Sequence, residues 1–440
     1  MGRTETQHPQ MLMVAPNSQQ VNNALSDSDV ENQSPPASLK DEPPDGGRIA
    51  WEQVLVGHLV NAMTWGVANA YGVFQLYYKE NTSWSASQIS WIGSVQIFLM
   101  FVLGTVSGRL ADGGYARHCI LAGSILCTVG MFTTSVATAY WQIMLSLGVC
   151  QGTGSGLLSM PVTAIIGADF KRKRALALSI SAAGTGVGAV AYTAVVQYLI
   201  PKVGFPWAVR CCGFITLFCG LVANALAEPR LPPRKRGGLI DMTALHDRPF
   251  VIFSAGSFLI YYSLFTVVIY INSFARNAIG FSDTDAGTVL LITSATSIIA
   301  RPIAGFAADH YLGAINTYNL GTFVLSILIF AWIGVRDRTS TFIFSAIVGF
   351  VNGSAQGVFP GAISNLVDDL SKLGTRLGMV FALCGFATLA GPPTMGALLD
   401  KSGGDYLGAQ IWGGTVMLTG SLIVATTRYF AKKDNRRLKF

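Results

Sequence analysis

Twelve apolar stretches, each long enough to cross a bilayer as a helix, constrain this chain more than any other feature. A membrane-spanning helix needs about 20 mainly apolar residues, and in lipid its backbone groups must be satisfied within the segment itself. The stretches form two sets of six on either side of a polar gap. They lie near 54–77, 87–110, 119–138, 142–168, 174–198, 207–227, 250–274, 284–308, 314–335, 341–366, 376–398 and 408–430. The pattern predicts an all-α membrane protein with twelve transmembrane helices, numbered here as spans 1 to 12.

The composition fits a lipid solvent rather than water. Hydrophobic residues make up 51% of the chain and charged residues 12%, whereas a soluble domain carries about 25% charged residues. The net charge of +7 does not indicate nucleic-acid binding, because the basic residues lie in short loops. The seven cysteines fall in or beside apolar segments without metal-ligand spacing. The expected partners are therefore the bilayer and a small-molecule substrate, with no metal, cofactor or nucleic acid.

The distribution of lysine and arginine predicts the orientation in the membrane. If the N-terminus is inside, 22 of the 30 basic residues lie in cytoplasmic segments, 7 lie in outer loops, and Arg301 lies within a span. Basic residues concentrate in cytoplasmic loops of membrane proteins. Both termini are therefore expected in the cytoplasm, in a multi-pass protein of the cell membrane, with the vacuolar membrane as the alternative location.

The polar segments predict the domain organisation. Residues 1–44 are polar and lack periodicity, which favours a disordered cytoplasmic tail. An N-terminal six-helix bundle is expected at 45–227, a cytoplasmic linker at 228–249 and a C-terminal six-helix bundle at 250–430. A basic cytoplasmic tail at 431–440 completes the chain.

Two motifs recur at a spacing near 200 residues. In spans 2 and 8 a glycine precedes an aspartate by four residues, and in spans 4 and 10 an amide residue precedes two glycines. Their members are Gly108 with Asp112, Gly305 with Asp309, Gln151 with Gly152 and Gly156, and Asn352 with Gly353 and Gly357. The two sets of six spans are therefore expected to be copies of one unit, inserted in the same direction.

Such a duplication resembles the major facilitator superfamily, whose members bind substrate near mid-membrane between two pseudo-symmetric six-helix bundles. Six stretches resemble its monocarboxylate-transporter-like family, and especially the fungal branch. They are Asp45-Gly46-Gly47 with Trp51, residues 65–78, residues 90–94, residues 170–184, Arg301-Pro302 with Gly305, and residues 374–381. The resemblance covers about 45–430 and implies the major facilitator fold and a secondary transporter that works by alternating access.

The sequence departs from the proton-coupled members of that family at two places. Those members have a cationic residue in span 1 where this chain has Asn69, and an acidic residue one turn before the span 8 arginine where this chain has Ser297. Of the three charged residues that those members have at these positions, this chain keeps only Arg301. Proton-coupled uptake of a monocarboxylate or vitamin-like substrate, with protons as the coupling ion, therefore becomes the alternative reading.

Arg301 is the principal candidate for substrate binding. It lies eight residues, or about 12 Å, from Asp309 at the end of its helix, which is deep within the span. An intramembrane arginine is costly and marks a functional site by default. A guanidinium can bind an anionic or carbonyl-rich ligand through paired hydrogen bonds. The alternative is an arginine satisfied by carbonyl groups at helix ends.

Polar residues on other spans are further candidates for the substrate site. Uncharged amides and phenols can orient a polar ligand without a buried charge, although the same groups also hydrogen-bond neighbouring helices together. Tyr262 could stack on a planar ligand, as could Tyr261 and Tyr270 on the same span. The remaining candidates are Asn69, Tyr71 and Gln75 in span 1, Gln151 in span 4 and Asn352 in span 10.

The repeated Gly and Asp motif predicts a gate. The resemblance implies that Gly108, Arg109 and Asp112, with Gly305 and Asp309 in the second half, make helix-end contacts that hold one access state closed. On an outer loop, Asn81 begins an Asn-Thr-Ser acceptor sequon for glycosylation. No catalytic residue set or nucleotide-binding loop is recognisable, so the chain is not expected to be an enzyme.

The resulting hypothesis is a secondary transporter that moves a small organic metabolite, with efflux of a secondary metabolite favoured over uptake because the charged pair of the uptake members is missing. A protein of another class, a nutrient receptor that binds but does not transport, is the remaining alternative.

Overall fold

The structure is a computed structural model that describes residues 1–2, 46–170, 173–228, 241–367 and 373–433. Most of both predicted tails and of the predicted linker lies outside these residues. The parts outside are 3–44 of the N-terminal tail, 229–240 of the linker and 434–440 of the C-terminal tail. Every regular element in the described part of the chain is helical.

The helices follow the predicted spans closely. Span 1 runs from 48 to 81 in three pieces, Arg48–Met63, Trp65–Asn69 and Tyr71–Asn81. Spans 2 to 4 are Ala86–Leu110, Ala116–Thr134 and Tyr140–Asp169, and spans 5 and 6 together form Arg174–Leu226. Spans 7 to 12 are Arg248–Asn277, Asp283–Ala307, Ala314–Ala331, Arg338–Ser364, Leu373–Lys401 and Leu407–Lys433.

The described helices confirm the prediction of an all-α membrane protein with twelve spans. Ten of them are long and apolar enough to cross a membrane. One of these ten, Arg174–Leu226, contains two spans, because Gly204 adopts φ 77° and ψ 165° between Pro201 and Pro206. Positive φ is readily accessible to glycine, so the chain can reverse there. Span 1 is the twelfth, and its short pieces explain why length alone misses it.

Span 1 breaks at Thr64, where the backbone is distorted to φ −106° and ψ −78°. The Thr64 hydroxyl donates to the Val60 carbonyl at 2.7 Å, a side-chain bond that competes with the helical backbone and tends to bend a helix. Next to it, a Cβ on Gly66 would lie 2.7 Å from the Gly188 Cα of span 5. The close approach of two glycines at the bend fixes the position of Trp65.

The two halves repeat each other in local structure as well as in sequence. A π-helical turn ends span 2 at Ala111–Tyr115, and another ends span 8 at Ala308–Leu312. The glycine motifs of spans 4 and 10 face spans 2 and 8 in the same way. A Cβ on Gly152 would lie 2.7 Å from the Gln96 carbonyl oxygen, and one on Gly353 would lie 2.7 Å from the Ser297 Cβ. Small residues thus bring each helix pair into close contact.

Because the number of spans is even, the start of span 1 and the end of span 12 lie on the same side of the membrane. That side, which holds the start of span 1 and the end of span 12, is called the termini face, and the other side the opposite face. On the termini face, the Arg376 guanidinium donates to Asp241 and to Asp247, each at 3.0 Å. These three side chains, the Arg376 cluster, are 4–11% exposed, and they attach the end of the linker to the start of span 11.

Candidate substrate cavity

A cavity of about 900 Å³ lies between the two halves of the protein. Spans 1, 2, 4 and 5 of the first half and spans 7, 8, 10 and 11 of the second half contribute to its lining. The lining includes Tyr311 at the end of span 8 and Ser364 at the end of span 10, so the cavity reaches the termini face. A pocket at the interface of two bundles is the usual place for a transported ligand.

Arg301 lies in the wall of this cavity and is 4% exposed. Its Nη2 donates to the Gln356 side-chain oxygen at a long 3.4 Å, and its Nε has no hydrogen-bond partner. Within the described ranges, no acidic side chain forms an ion pair with it. Burying a charge without a counter-charge is costly, so this guanidinium is the group in the cavity with the greatest capacity to bind an anion.

Neighbouring residues hold Arg301 in place. A Cβ on Gly357 would come within 3.2 Å of the Arg301 Cγ, so a glycine in span 10 makes room for the arginine side chain. Gln356 accepts from Arg301 and in turn donates to the Asn352 Oδ1 at 3.2 Å. Asn352 therefore orients the amide that contacts the guanidinium, rather than contacting it directly.

Five aromatic rings from both halves form a continuous cluster along the cavity. Phe101 is at its centre, with its ring centroid 5.3 Å from Trp65, 5.6 Å from Tyr261 and 5.5 Å from Phe381. Phe359 lies 4.7 Å from Tyr261 and completes the set. Rings in these edge-to-face and offset arrangements attract one another. Trp65 is partly exposed, whereas the other four rings are 1–7% exposed and form the apolar backing of the cavity wall.

The wall formed by spans 4 and 5 is polar by contrast. Its hydroxyl groups belong to Ser159 and Thr163 of span 4 and to Ser179, Ser181 and Thr185 of span 5. The Ser181 hydroxyl accepts from the Asn61 side chain at 3.1 Å, which brings an amide of span 1 into the same wall. The cavity thus combines one buried cation, an aromatic cluster and a hydroxyl-rich wall.

On the opposite face the two halves are in contact. Glu80 of span 1 pairs with Arg276 of span 7. The Ser90 hydroxyl of span 2 lies 2.5 Å from the Tyr270 hydroxyl of span 7, and the Tyr270 hydroxyl donates to the Pro392 carbonyl of span 11 at 3.2 Å. These contacts close the opposite face while the cavity reaches the termini face.

The three span 1 candidates lie outside the cavity in this conformation. Asn69 and Gln75 are 9% and 3% exposed, and each has a side-chain oxygen without a partner. Tyr71 is buried and donates to the Ile89 carbonyl of span 2 at 2.5 Å. Their role in substrate binding stays a prediction.

The candidates on spans 4, 10 and 7 are placed differently from Arg301. The Gln151 amide donates to the Met63 carbonyl at 3.2 Å, which joins span 4 to span 1. Asn352 acts on Gln356 as described above. The Tyr262 hydroxyl lies 3.0 Å from the Thr394 hydroxyl of span 11, and the neighbouring Tyr261 is the tyrosine that lines the cavity.

The predicted gating residues are close to the mouth of the cavity. Gly305 and Asp309 line it. A Cβ on Gly108 would lie 3.3 Å from the Met160 Cβ of span 4, and the Arg109 Nε is buried without a partner. The side chain of Asp112 lies outside the described part of the structure. Asn81 is exposed at the opposite face, where its amide donates to the Tyr77 carbonyl at 2.9 Å.

Of the aromatic cluster, only Tyr261 was a candidate from the sequence, and Gln356 was not one. Trp65 was noted only as part of a family motif, and Phe101, Phe359 and Phe381 are apolar residues in apolar spans, where nothing distinguishes a cavity wall from a packed core. Gln356 could have been found, because it lies one helical turn after Asn352 and therefore shares its face.

Two six-helix halves around a central cavity, closed on one side and open on the other, define a secondary transporter of the alternating-access type. The family model described as Major Facilitator Superfamily matches residues 54–371 and 253–438. The chain belongs to this superfamily, as the sequence predicted.

Curated fungal proteins resemble the chain over most of its length. An MFS-type transporter of Gibberella zeae is 35% identical over 403 residues, which cover 91% of each chain. The MFS-type transporter dbaD of Emericella nidulans is 34% identical over 384 residues, or 86% of each chain. The aspyridones efflux protein apdF of the same organism is 35% identical over 393 residues, which cover 88% of this chain and 80% of the relative.

Proposed function

We propose that this transporter exports a small amphipathic organic metabolite whose polar end is anionic or rich in carbonyl groups. Arg301 is the observation that carries this proposal. It is buried in the cavity wall, its Nε has no hydrogen-bond partner, and among the described residues it forms no ion pair. An oxyanion or a pair of carbonyl oxygens would accept paired hydrogen bonds from the guanidinium and offset its desolvation.

The rest of the cavity favours a substrate with a large apolar part. The aromatic cluster offers ring faces on which a planar or conjugated skeleton can stack. A volume of about 900 Å³ is near the upper end of the roughly 300–1,000 Å³ of small-molecule pockets. A ligand with several linked rings would fill this space, whereas a three-carbon acid would occupy only a small part of it.

Export from the cytoplasm is the direction we propose. The basic residues predict that the termini face is cytoplasmic, and the cavity reaches that face, so the conformation is one that would load substrate from the cell interior. A relative whose name specifies aspyridones efflux supports the same direction. We place the protein in the plasma membrane, with the vacuolar membrane as the alternative.

The surroundings of Arg301 argue against the proton site of the uptake members. One turn before it, Ser297 is 9% exposed and its hydroxyl donates to the Ser294 carbonyl at 2.7 Å. A serine cannot exchange a proton with a bound carboxylate near neutral pH. If protons drive the cycle, Asp309 and His310, both at the cavity mouth, are the groups to test.

Counterflow in proteoliposomes tests the proposal. The probes are 2-naphthoate and 2-naphthamide, which have the same ring system and differ in charge. We expect saturable exchange of 2-naphthoate and at least tenfold slower exchange of 2-naphthamide. Binding of 2-naphthoate without exchange would instead favour a non-transporting receptor. Faster exchange of the neutral amide would contradict the role of Arg301.

Deletion of the gene in the source fungus tests the direction. An exporter's loss should raise the retained amount of at least one organic acid or carbonyl-rich metabolite and lower its amount in the medium, with restoration on complementation. Unchanged ratios of retained to exported metabolites would contradict export.

A further inference from the structure

Spans 1 and 7, one from each half, meet along a line of contacts that runs from the cavity to the opposite face. Trp65 stacks on Phe265 at the cavity end, and Glu80 pairs with Arg276 at the outer end. Between them, a Cβ on Gly72 would lie 3.4 Å from the Ile269 carbonyl oxygen. This line of contacts is called the seam.

Two amide side chains lie at the same level of the seam. Gln75 is one turn after Gly72 on span 1, so it is on the face that meets span 7. Asn272 lies one turn before Arg276, which pairs with span 1, and one turn after Val268, whose carbonyl oxygen would be 3.6 Å from a Cβ on Gly72. Both side chains are therefore directed toward the contact between the two halves.

Neither amide is fully satisfied in this conformation, although the Gln75 side chain hydrogen-bonds to the Tyr270 hydroxyl. Asn272 is 0% exposed, and both its Oδ1 and its Nδ2 have no hydrogen-bond partner. Gln75 is 3% exposed, and its Oε1 has no partner. Burying an unsatisfied polar group costs about 1–3 kcal/mol, and native proteins contain few such groups. Apolar side chains of similar size would stabilise a seam that stayed closed.

The two positions are also equivalent in the internal repeat. Residue 272 follows residue 75 by 197 positions, the spacing that relates Gly108 to Gly305 and Asp112 to Asp309. Each half therefore supplies one amide to the same level of the same contact. Two equivalent amides with unsatisfied atoms therefore lie at an interface that must separate during transport. Hydrogen-bonding groups that enter when the halves separate would satisfy them.

We propose that Gln75 and Asn272 line the transport path on the opposite face. When the seam opens, the two amides exchange hydrogen bonds with water and with neutral amide, hydroxyl or carbonyl groups of the departing substrate. They thus form a second polar contact set, separate from the charged contact at Arg301. The inference rests on the proposed transport function, but it concerns a different part of the path.

Paired substitutions separate a path role from a packing role. Asn272→Leu removes an unsatisfied amide from the closed seam, so we expect an unchanged or higher midpoint of thermal unfolding. The matched control is Asn224→Leu in span 6, because the Asn224 amide donates to the Gly220 carbonyl at 2.8 Å and to the Ser124 hydroxyl at 3.0 Å. That variant should unfold at a lower temperature. An equal loss of stability in Asn272→Leu would overturn the proposal.

Thiol labelling tests the opening itself and needs no substrate. In a variant whose native cysteines are replaced, a cysteine introduced by Gln75→Cys is exposed to a charged methanethiosulfonate reagent in nanodiscs. We expect slow labelling that accelerates about two- to fivefold when the partly exposed ion pair is removed by Glu80→Ala, and that slows at least tenfold with Asn272→Leu. Ser263→Cys is the control, because Ser263 donates to the Gly413 carbonyl of span 12 and lies away from the seam.

Labelling at position 75 that responds to neither change, or that matches the control, would overturn the proposal. Thiol labelling at position 75 involves no transported probe. The labelling pattern can therefore agree with the proposal when 2-naphthoate is not exchanged, and it can disagree with the proposal when 2-naphthoate is exchanged. Failure of the substrate assignment and failure of the path assignment are therefore distinguishable.

Discussion

Trp65 of span 1 and Phe265 of span 7 stack with their ring centroids 6.2 Å apart and their planes 9° from parallel. One ring comes from each half, and Trp65 also lines the cavity. The pair forms the cavity end of the seam, and Trp65 is its member in the cavity wall. A part of the substrate site is therefore also part of the closure.

Replacing Trp65 should weaken substrate binding. We expect Trp65→Ala to lower the affinity for 2-naphthoate at least tenfold, because the variant loses an aromatic contact surface and the stacking on Phe265. Trp65→Phe keeps a ring and should lose less than threefold. Isothermal titration calorimetry measures both. Wild-type affinity in Trp65→Ala would remove the indole from the site.

Substitution of Arg301 should separate charge from geometry. Arg301→Ala is expected to reach the membrane but to lose 2-naphthoate exchange by at least about tenfold, because charge-assisted hydrogen bonds contribute about 1.5–3 kcal/mol. Arg301→Lys keeps the charge without the planar fork and should show an intermediate loss. Counterflow measures the rates. Equal rates for the wild type and Arg301→Ala would contradict the proposed anchor.

The ion pair at the outer end of the seam should bias the two access states. The side chains of Glu80 and Arg276 are 32% and 29% exposed, so their attraction is partly screened and worth about 0.2–1 kcal/mol. Arg276→Gln should therefore shift the equilibrium toward opening of the opposite face by no more than about fivefold. Spin labels at the exposed positions Ser83 and Ala278 would report this shift as a longer distance between them.

Reversing the pair provides the control for that experiment. The double variant Glu80→Arg with Arg276→Glu restores opposite charges and should return the distance distribution to that of the wild type. Distances that stay long in the double variant would show that the substitutions act by disturbing packing and not through the ion pair.

The Arg376 cluster should contribute to stability rather than to substrate selection. Its side chains are 4–11% exposed, and removing one partner of a buried ion pair costs about 3–5 kcal/mol. Arg376→Ala is therefore expected to lower the midpoint of thermal unfolding by several degrees, with Arg376→Lys in between. The affinity of folded protein for 2-naphthoate should stay within twofold of wild type, because Arg376 does not line the cavity. A large loss of affinity with unchanged stability would contradict this assignment.

The fold was predictable because the bilayer fixes the length of every span. An apolar stretch near 20 residues has few other structures in lipid, and the repeats at Gly108 and Gly305 relate the two halves. The break at Thr64 was not predictable from hydrophobicity, since Val60 and Trp65 on either side continue the apolar pattern. It depends on a hydroxyl bond to the backbone and on a close contact with another span.

A residue of the site was predictable only where its polarity differs from that of the apolar span around it. Arg301 was found because a charge in an apolar span is expensive. Phe101 and Phe381 are apolar residues in apolar spans, so the sequence does not distinguish them from residues packed in a core. Tyr261 and Tyr262 are adjacent and point about 100° apart on the helix. Choosing between them requires the rotation of span 7, which its packing against spans 11 and 12 defines.

The contrast between the two walls of the cavity has a consequence for how such transporters diversify. The hydroxyl groups of Ser159, Thr163 and Ser179 belong to spans 4 and 5, whereas the ion pair and hydroxyl contacts described at the opposite face belong to spans 1, 2, 7 and 11. Substitutions in the hydroxyl wall can therefore change which molecule fits without removing the Glu80–Arg276 and Ser90–Tyr270 contacts at the opposite face. A duplicated gene could acquire a new cargo through a few such changes while its transport cycle is inherited intact.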